Sequence, residues 1–252
     1  MKTQLWNLIG LNAKEDLLSI CPKCQTGNLV FNKYYDQITE NGKELHFNSY
    51  PNGIDYFFIG LLECNNPKCL QIVNIGGRID KHFEKSGYDQ YGNYYESEFD
   101  IYFPEYYSPN LRYFKISDQI PRSIINQLDL SFYHFFKDPN SSANKIRNIL
   151  ELILEDIKAP KKTKNKKGKF CNFKNLHDRI YHFAKKSKLI GTLMLANKYI
   201  GNEGSHIGET DRTELLQAYD NIEEILDLLY VKTRRKLLTN AENLIERKKL
   251  KI

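Results

Sequence analysis

Apolar and polar positions change their period part-way along the chain. In the N-terminal part, the apolar stretches "NLVFNKYY" and "IDYFFIGLLEC" are typical of strands, and Asn41-Gly42 between them is typical of a hairpin turn. From Pro121 onward, apolar residues recur every three to four positions, the period of a helix with one buried face. The pattern therefore predicts an α+β protein in which a small antiparallel sheet is followed by an α-helical bundle.

Local signals place the ends of several predicted helices. The first begins after Pro121 and ends at Asp138, because the residue before a proline disfavours the helical conformation. Ser141 or Ser142 is expected to cap the second helix. Asp211 is expected to cap a long later helix, and the C-terminal tail continues as a basic helix. Several helices joined by mostly short loops make a bundle.

Four of the five cysteines form two closely spaced pairs. The string "CPKC" holds Cys21 and Cys24, and "CNNPKC" holds Cys64 and Cys69. Two such pairs suit one structural zinc ion, Zn²⁺, which four thiolates hold tetrahedrally with no open position for catalysis. The alternative is four free buried cysteines, because cysteine packs well as a small apolar residue. With strands between the pairs, the layout is that of a zinc ribbon.

Composition divides the chain into three regions. Residues 1–80 are predicted to form the zinc-ribbon domain, and residues 121–252 the helical bundle with its basic tail. Between them, residues 81–120 are expected to be a tyrosine-rich, acidic connector that packs against one of the domains. Seven of the 17 tyrosines fall between Tyr88 and Tyr107.

Positive charge is concentrated in two segments. The net charge is +6, yet residues 158–169 hold seven lysines and no acid, and residues 231–252 hold eight basic residues and two glutamates. The remainder of the chain is therefore acidic. Local basic patches are typical of polyanion-binding proteins, and otherwise of solvated surfaces. The candidate nucleic-acid-binding residues are Lys161, Lys162, Lys164, Lys166, Lys167, Arg234, Arg235 and Lys236.

The sequence carries no apolar run of the roughly 18 residues that a membrane span needs, so no membrane partner is expected. The first residues include Lys14, Glu15 and Asp16 and lack the apolar length of a signal peptide. We therefore expect a cytoplasmic protein, in which reduced cysteines are available to a metal.

Several short strings occur in a characteristic order after the cysteine pairs: "YFPEYY", "QIPRSIINQ", "ANKIRNILELIL", "LANKYIGNEGSH" and "ILDLLY". This order resembles the domain of unknown function 4145 family, which is grouped with the HEPN superfamily of small helical, nucleic-acid-associated domains. The resemblance is clearest over residues 121–230 and extends through the cysteine pairs. It implies a HEPN-like helical domain that acts in a bacterial restriction or antiphage defence system.

Many HEPN domains are metal-independent ribonucleases, and the resemblance therefore also implies a candidate catalytic site. Their motif is an arginine, a polar residue and, further on, a histidine, and two protomers commonly place both motifs at one dimer cleft. In "GNEGSH" the polar residue is Asn202 and the histidine is His206, but Gly201 replaces the arginine that would clamp phosphate. Arg147 and Glu151 share a helix face and are expected to support His206. Gly201 is also expected to end its helix through a left-handed turn.

Three functions remain open from the sequence. The first is a nucleic-acid-associated, zinc-binding module of a defence or restriction-type system that acts through dimerisation or partner binding. The second is a metal-independent ribonuclease or toxin that uses His206 as acid and base. The third is a regulatory interaction protein without nucleic acid. The expected partners are a second copy bound through the helical domain, RNA or DNA, and a protein of the defence system. Gly201 favours a non-catalytic role.

Overall fold

The change of period along the chain corresponds to a division of the protein into two units in a computed structural model. The first unit is Met1–Lys115 and the second is Ile116–Ile252. A sheet forms the first unit and helices dominate the second, which confirms the predicted α+β class. The structure describes the following residues: 19–47, 56–88, 90–91, 94–164, 167–203 and 210–249.

The first unit is built on one antiparallel sheet with the strand order β1-β2-β3-β4. Its strands are β1 (Leu29–Ile38), β2 (Tyr56–Cys64), β3 (Ile72–Tyr88) and β4 (Tyr94–Ser108). Along β2, Phe58, Leu62 and Cys64 are buried, whereas Phe57 and Ile59 are exposed. This alternation is the period of a strand with one face on a core and the other face at the surface.

The predicted hairpin turn at Asn41-Gly42 is wrong, because these residues lie in a helix, α1 (Glu40–Phe47). Thr39 precedes α1, and its hydroxyl accepts a hydrogen bond from the backbone N–H of Gly42 at 2.9 Å. The carbonyl of Thr39 accepts from Lys43. A threonine in this position satisfies N–H groups that the first helical turn leaves without partners, so it starts the helix that the Asn-Gly pair alone would not suggest.

Most of the tyrosine-rich segment 81–120 belongs to β3 and β4, and so to the first unit. The two strands pair over a long ladder, from Asn74 opposite Ser108 to Tyr88 opposite Tyr94. Tyr102 of β4 is buried and its ring lies edge-on to Phe58, with 5.0 Å between centroids. The segment that was expected to be a connector therefore supplies aromatic side chains to the core of the sheet.

Helices dominate the second unit, which confirms the predicted helical region. They are α2 (Arg122–Phe135), α3 (Pro139–Asp156), α4 (Leu176–Ala184), α5 (Lys188–Glu203), α6 (Arg212–Leu226) and α7 (Thr233–Lys249), with a π-helical segment (Asp227–Val231) before α7. Leu128, Ile149, Met194 and Ile222 are buried, so α2, α3, α5 and α6 each contribute to one apolar core. No helix in the described part of the chain could span a membrane.

Aspartates cap two of these helices. Asp211 caps α6 as predicted, and its carboxylate accepts a hydrogen bond from the N–H of Thr213 at 2.8 Å. The cap of α3 is Asp138, which accepts from the N–H of Ser141 at 2.9 Å, so the prediction of a serine cap is wrong. Ser142 is buried instead. Proline follows Asp138 as the first helical residue, where its missing N–H costs nothing.

The helix α5 continues through Gly201 to Glu203, so the prediction that Gly201 ends this helix is wrong. A single glycine lowers helix stability by roughly 1 kcal/mol relative to alanine, which does not by itself stop a packed helix.

The lysine-rich segment contains a small antiparallel hairpin, β5 (Lys162–Lys164) and β6 (Phe170–Asn172). Thr163 lies opposite Cys171 in this pair. Gly168 has φ 76°, a left-handed conformation that glycine adopts without strain. Two lysines of the predicted loop therefore lie on a strand.

Candidate metal centre

The Sγ atoms of Cys21, Cys24, Cys64 and Cys69 lie within 4.8 Å of one another. The sulfurs of Cys21 and Cys69 are 3.8 Å apart, and those of Cys24 and Cys64 are 3.7 Å apart. Four sulfurs bound tetrahedrally at about 2.3 Å from one ion would be separated by about 3.8 Å. The two cysteine pairs of the sequence therefore meet at one site whose spacing fits a metal ion.

The strands bring the two cysteine-containing turns together. The first pair precedes β1 and the second begins at the end of β2, where Leu29 lies opposite Cys64 in the ladder. Beyond the strands, the N–H of Asn65 donates to the carbonyl of Asn28 at 2.9 Å. The side-chain oxygen of Asn65 accepts from the N–H of Asn28 at 2.8 Å. Protein contacts thus fix one turn against the other.

Each turn has a left-handed residue directly after its second cysteine. Gln25 has φ 54° and Leu70 has φ 49°. Glycine is the residue that adopts this conformation most easily, and neither position carries one, so the matched turns could not be predicted from the residue types. The two turns therefore share a left-handed residue after the second cysteine, although the number of residues between their cysteines differs.

Backbone N–H groups point at two of the sulfurs. The N–H of Gly27 lies 3.3 Å from the Sγ of Cys24, and the N–H of Asn66 lies 3.4 Å from the Sγ of Cys64. Such donors stabilise negative charge on sulfur, whether the thiolate is free or bound to a metal. At these two cysteines the tight turns therefore supply donors to the sulfurs.

Gly27 was not among the predicted site residues, although it lies against the site. A Cβ atom built on Gly27 would be 2.5 Å from the Sγ of Cys64 and 2.8 Å from the Cβ of Asn66. Only a residue without a side chain fits between the two turns here. The available sequence signal was its position three residues after Cys24, which is a usual place for a turn glycine.

The cysteines differ in their readiness to lose a proton. Hydrogen bonds from the side chain and backbone of Thr26, and from the backbone of Gly27, lower the pKa of Cys24 to about 5. Burial raises the pKa of Cys21 and raises that of Cys64 to about 12. A metal ion would bind Cys24 as an existing thiolate and would displace protons from the two buried thiols.

The residues predicted to support catalysis form a surface ion pair. The Nε of Arg147 lies 3.6 Å from an Oε of Glu151 on α3, and their side chains are 41% and 48% exposed. Exposed pairs of this kind contribute under about 1 kcal/mol to stability. His206 lies outside the described residues, as does the side chain of Asn202, so the predicted cluster around His206 stays a prediction.

The predicted nucleic-acid-binding residues are only in part described. Exposed side chains are found at Lys161, Lys162, Lys164, Lys167 and Lys236. Lys161 also pairs with a carboxylate, since its Nζ lies 2.9 Å from an Oε of Glu155. Lys166 and the side chains of Arg234 and Arg235 lie outside the described part of the chain.

The protein thus has a sheet unit with a four-cysteine cluster that could hold a metal ion, and a helical unit. Residues 131–249 match the family model described as a domain of unknown function (DUF4145). This match confirms, over most of the helical unit, the resemblance to the DUF4145 family that the sequence predicted. Residues 13–107 match a second model, described as a domain of unknown function (DUF8608), which spans the cysteine cluster. No curated protein and no solved structure matches the chain.

Proposed function

We propose that this protein is a zinc-stabilised module that binds nucleic acid through the lysine-rich segment of its helical unit, residues 158–169. The observation that carries the proposal is the presentation of these lysines on the β5–β6 hairpin. Lys162, Lys164 and Lys167 are exposed, and the segment contains no acidic residue to oppose a phosphate backbone. Phosphate contacts of this kind position a protein on nucleic acid without reading its sequence.

An aromatic ring lies among these lysines. Phe170 of β6 is 70% exposed, and the Nζ of Lys164 lies 5.5 Å from its ring centroid. A ring beside cations suits a strand of nucleic acid, whose bases can stack while its phosphates meet the lysines. This pairing supports a nucleic acid as the polyanion, because an inorganic polyanion has no base to stack.

Zinc is the metal that the site suits best. Four thiolates are soft ligands, and tetrahedral sulfur coordination is typical of zinc in structural sites. All four positions around the ion would be filled by the protein, which supports a role in holding the two turns and the sheet together. The proposed nucleic-acid binding therefore belongs to the helical unit and needs no chemistry at the metal.

Pairing of two copies through α7 is part of the proposal. Four apolar side chains of α7 are more than half exposed: Leu237, Leu238, Leu244 and Ile245. They fall at positions that form one stripe of a helix, the arrangement that ordinarily faces a core. A second copy fits this stripe because a two-fold axis would place an identical apolar stripe against it. The expected protein partner and the bacterial defence or restriction-type setting rest on the family resemblance alone and stay predictions.

The test is a comparison of two triple variants with the same change in charge. In the first, Lys162, Lys164 and Lys167 become serine; in the control, exposed Lys33, Lys115 and Lys137 become serine. Binding of labelled single-stranded and duplex oligonucleotides is measured by anisotropy over a range of salt concentrations. Each lost phosphate contact lowers the slope of log K against log salt by about 0.7–0.9, so the hairpin variant is expected to lose about two units.

The control variant is expected to keep the slope of the wild type. Absence of salt-dependent binding by the wild-type protein would overturn the proposal. Equal binding by the hairpin variant and the control variant would remove the lysine segment from it.

A further inference from the structure

The helical unit carries a row of aromatic and basic side chains on α4 and α5. We call it the α4–α5 row, and its members are, in spatial order, Lys185, Tyr181, His177, Tyr199 and Lys198. The ring of His177 is stacked with Tyr181 at 6.4 Å between centroids and an interplanar angle of 13°. On its other side, His177 lies 6.0 Å from Tyr199 at 61°. Three rings thus follow one another without a break.

Local sequence explains why the row forms. His177, Tyr181 and Lys185 are four residues apart, so they share one side of the helical turn. The chain then reverses within three residues, and α5 returns along α4. Gly191 packs against the backbone and side chain of Ala184, where a Cβ would have no room. This close crossing is what brings Tyr199 of α5 beside His177.

A lysine lies over each outer ring of the row. The Nζ of Lys185 is 5.6 Å from the centroid of Tyr181, and the Nζ of Lys198 is 4.6 Å from that of Tyr199. A cation over an aromatic face is attracted by the ring and restrains its orientation. Each tyrosine is therefore positioned beside a positive charge that is close enough to meet a ligand stacked at the ring.

The two tyrosines are not needed to fill the core. Tyr181 is 58% exposed and Tyr199 is 56% exposed, whereas the neighbouring Ile180 and Met194 are fully buried and hold the helices together. Exposed rings beside lysines match the two chemical features of single-stranded nucleic acid, an open base face and a phosphate. A duplex stacks its bases inside and offers no such face. Asp178 on α4 adds a negative charge near the row, so a surface that binds phosphate alone is a poorer match than one that also stacks bases.

We propose that the α4–α5 row is a binding site for single-stranded nucleic acid. Bases stack on Tyr181 and Tyr199 in place of the lysine ammonium groups, and Lys185 and Lys198 turn from the ring faces to the neighbouring phosphates. This inference rests on the proposed function, since it takes the helical unit to bind nucleic acid, and it adds the base contacts and the strandedness. The lysine segment then supplies mainly phosphate contacts, with the one ring of Phe170 beside them, and the row supplies mainly base stacking.

The experiment uses the full-length protein and labelled 12-residue strands of oligo(dT), oligo(U) and an abasic backbone of equal charge. In one variant Tyr181 and Tyr199 become leucine, which removes the rings; in the matched control both become phenylalanine, which keeps them. Stacking is worth enough per base that the leucine variant should bind oligo(dT) at least about tenfold more weakly. The phenylalanine variant should bind within about twofold of the wild type. The abasic strand should bind wild-type protein at least as weakly as oligo(dT) binds the leucine variant, because it also loses stacking on Phe170.

The arms separate failure of this inference from failure of the proposed function. The row is overturned if wild-type protein binds the abasic strand as tightly as oligo(dT), or if the leucine variant binds oligo(dT) as tightly as the wild type. In that case, weaker binding by the lysine-to-serine variant would still support the proposed function. If the leucine variant binds more weakly but the lysine-to-serine variant binds as the wild type does, the row is supported and the lysine segment is removed from the proposed function. No binding of any strand overturns both. Both tyrosines are exposed, so equal melting temperatures of the two tyrosine variants are expected. Oligo(U) against oligo(dT) shows whether the site prefers RNA or DNA.

Discussion

Gly27 lies where a turn passes directly over the sulfur of Cys64. We expect Gly27→Ala to lower both the metal content of the purified protein and the melting temperature of the first unit. The added methyl would sit 2.5 Å from that sulfur and 2.8 Å from the Cβ of Asn66, so one of the two turns must move. Elemental analysis should find close to one zinc per chain in the wild type and less in the variant, and a chelator should lower the melting temperature of the wild type.

A matched control for this change is Gly87→Ala, because a Cβ on Gly87 meets nothing within 4 Å. This variant should keep the metal and the melting temperature of the wild type. If Gly27→Ala behaves in the same way as the control, the tight packing over Cys64 has no part in metal binding.

At this scale the sequence predicted which cysteines meet in one cluster but not what surrounds them. The cysteine spacing is a local property of the chain, so it could be read directly. The left-handed Gln25 and Leu70 and the bonds between Asn28 and Asn65 depend on how two distant turns meet. Such contacts are fixed by the strand pairing, which a single sequence does not specify to the residue.

At the scale of elements, the cap of α3 leads to a prediction about pH. Hydrogen bonds from the side chain and backbone of Ser141 hold the pKa of Asp138 below its ordinary value. A lowered folded pKa means that this stabilisation is complete above the unfolded value of about 3.9 and is lost as the pH falls through the folded value. Asp138→Ala should cost about 1 kcal/mol at neutral pH and less below pH of about 3, as measured by urea unfolding.

Asp138→Asn is the control, because asparagine caps a helix about as well as aspartate and does not titrate. The difference between the asparagine and alanine variants should therefore not change with pH. A wild-type advantage over alanine that is the same at acid and neutral pH would show that the carboxylate is not the stabilising form.

The helices with a clear apolar period could be predicted. The short elements, and the full length of the two longest strands, could not. The period of α2, α3 and α6 extends over several turns, so it outweighs local noise. By contrast, α1 depends on the single cap at Thr39, and β5 and β6 have three residues each. The length of β3 and β4 was hidden because the acidic and polar residues on them are unusual for strands.

At the scale of the whole molecule, the exposed stripe of α7 predicts the oligomeric state. Light scattering should give about twice the chain mass of 29.6 kDa for the wild type. Leu237→Glu with Leu244→Glu should give the mass of one chain, because two carboxylates from each copy would be buried at the contact. Thr239→Glu with Asn243→Glu adds the same charge on the other side of α7 and should leave the dimer intact.

A wild-type protein that stays at the mass of one chain at the highest concentration reached would contradict this pairing. A dimer that survives both leucine substitutions would place the contact elsewhere on the molecule.

The four-cysteine cluster also closes a loop of the chain. Cys24 and Cys64, whose sulfurs would share one ion, are 40 positions apart in the chain, and α1 lies between them. Once the ion and the strand pairing close this loop, its length matters little, because doubling a flexible loop costs only about 0.6 kcal/mol. We therefore expect residues added between β1 and β2, such as a tag or a small domain, to leave the four-cysteine cluster intact.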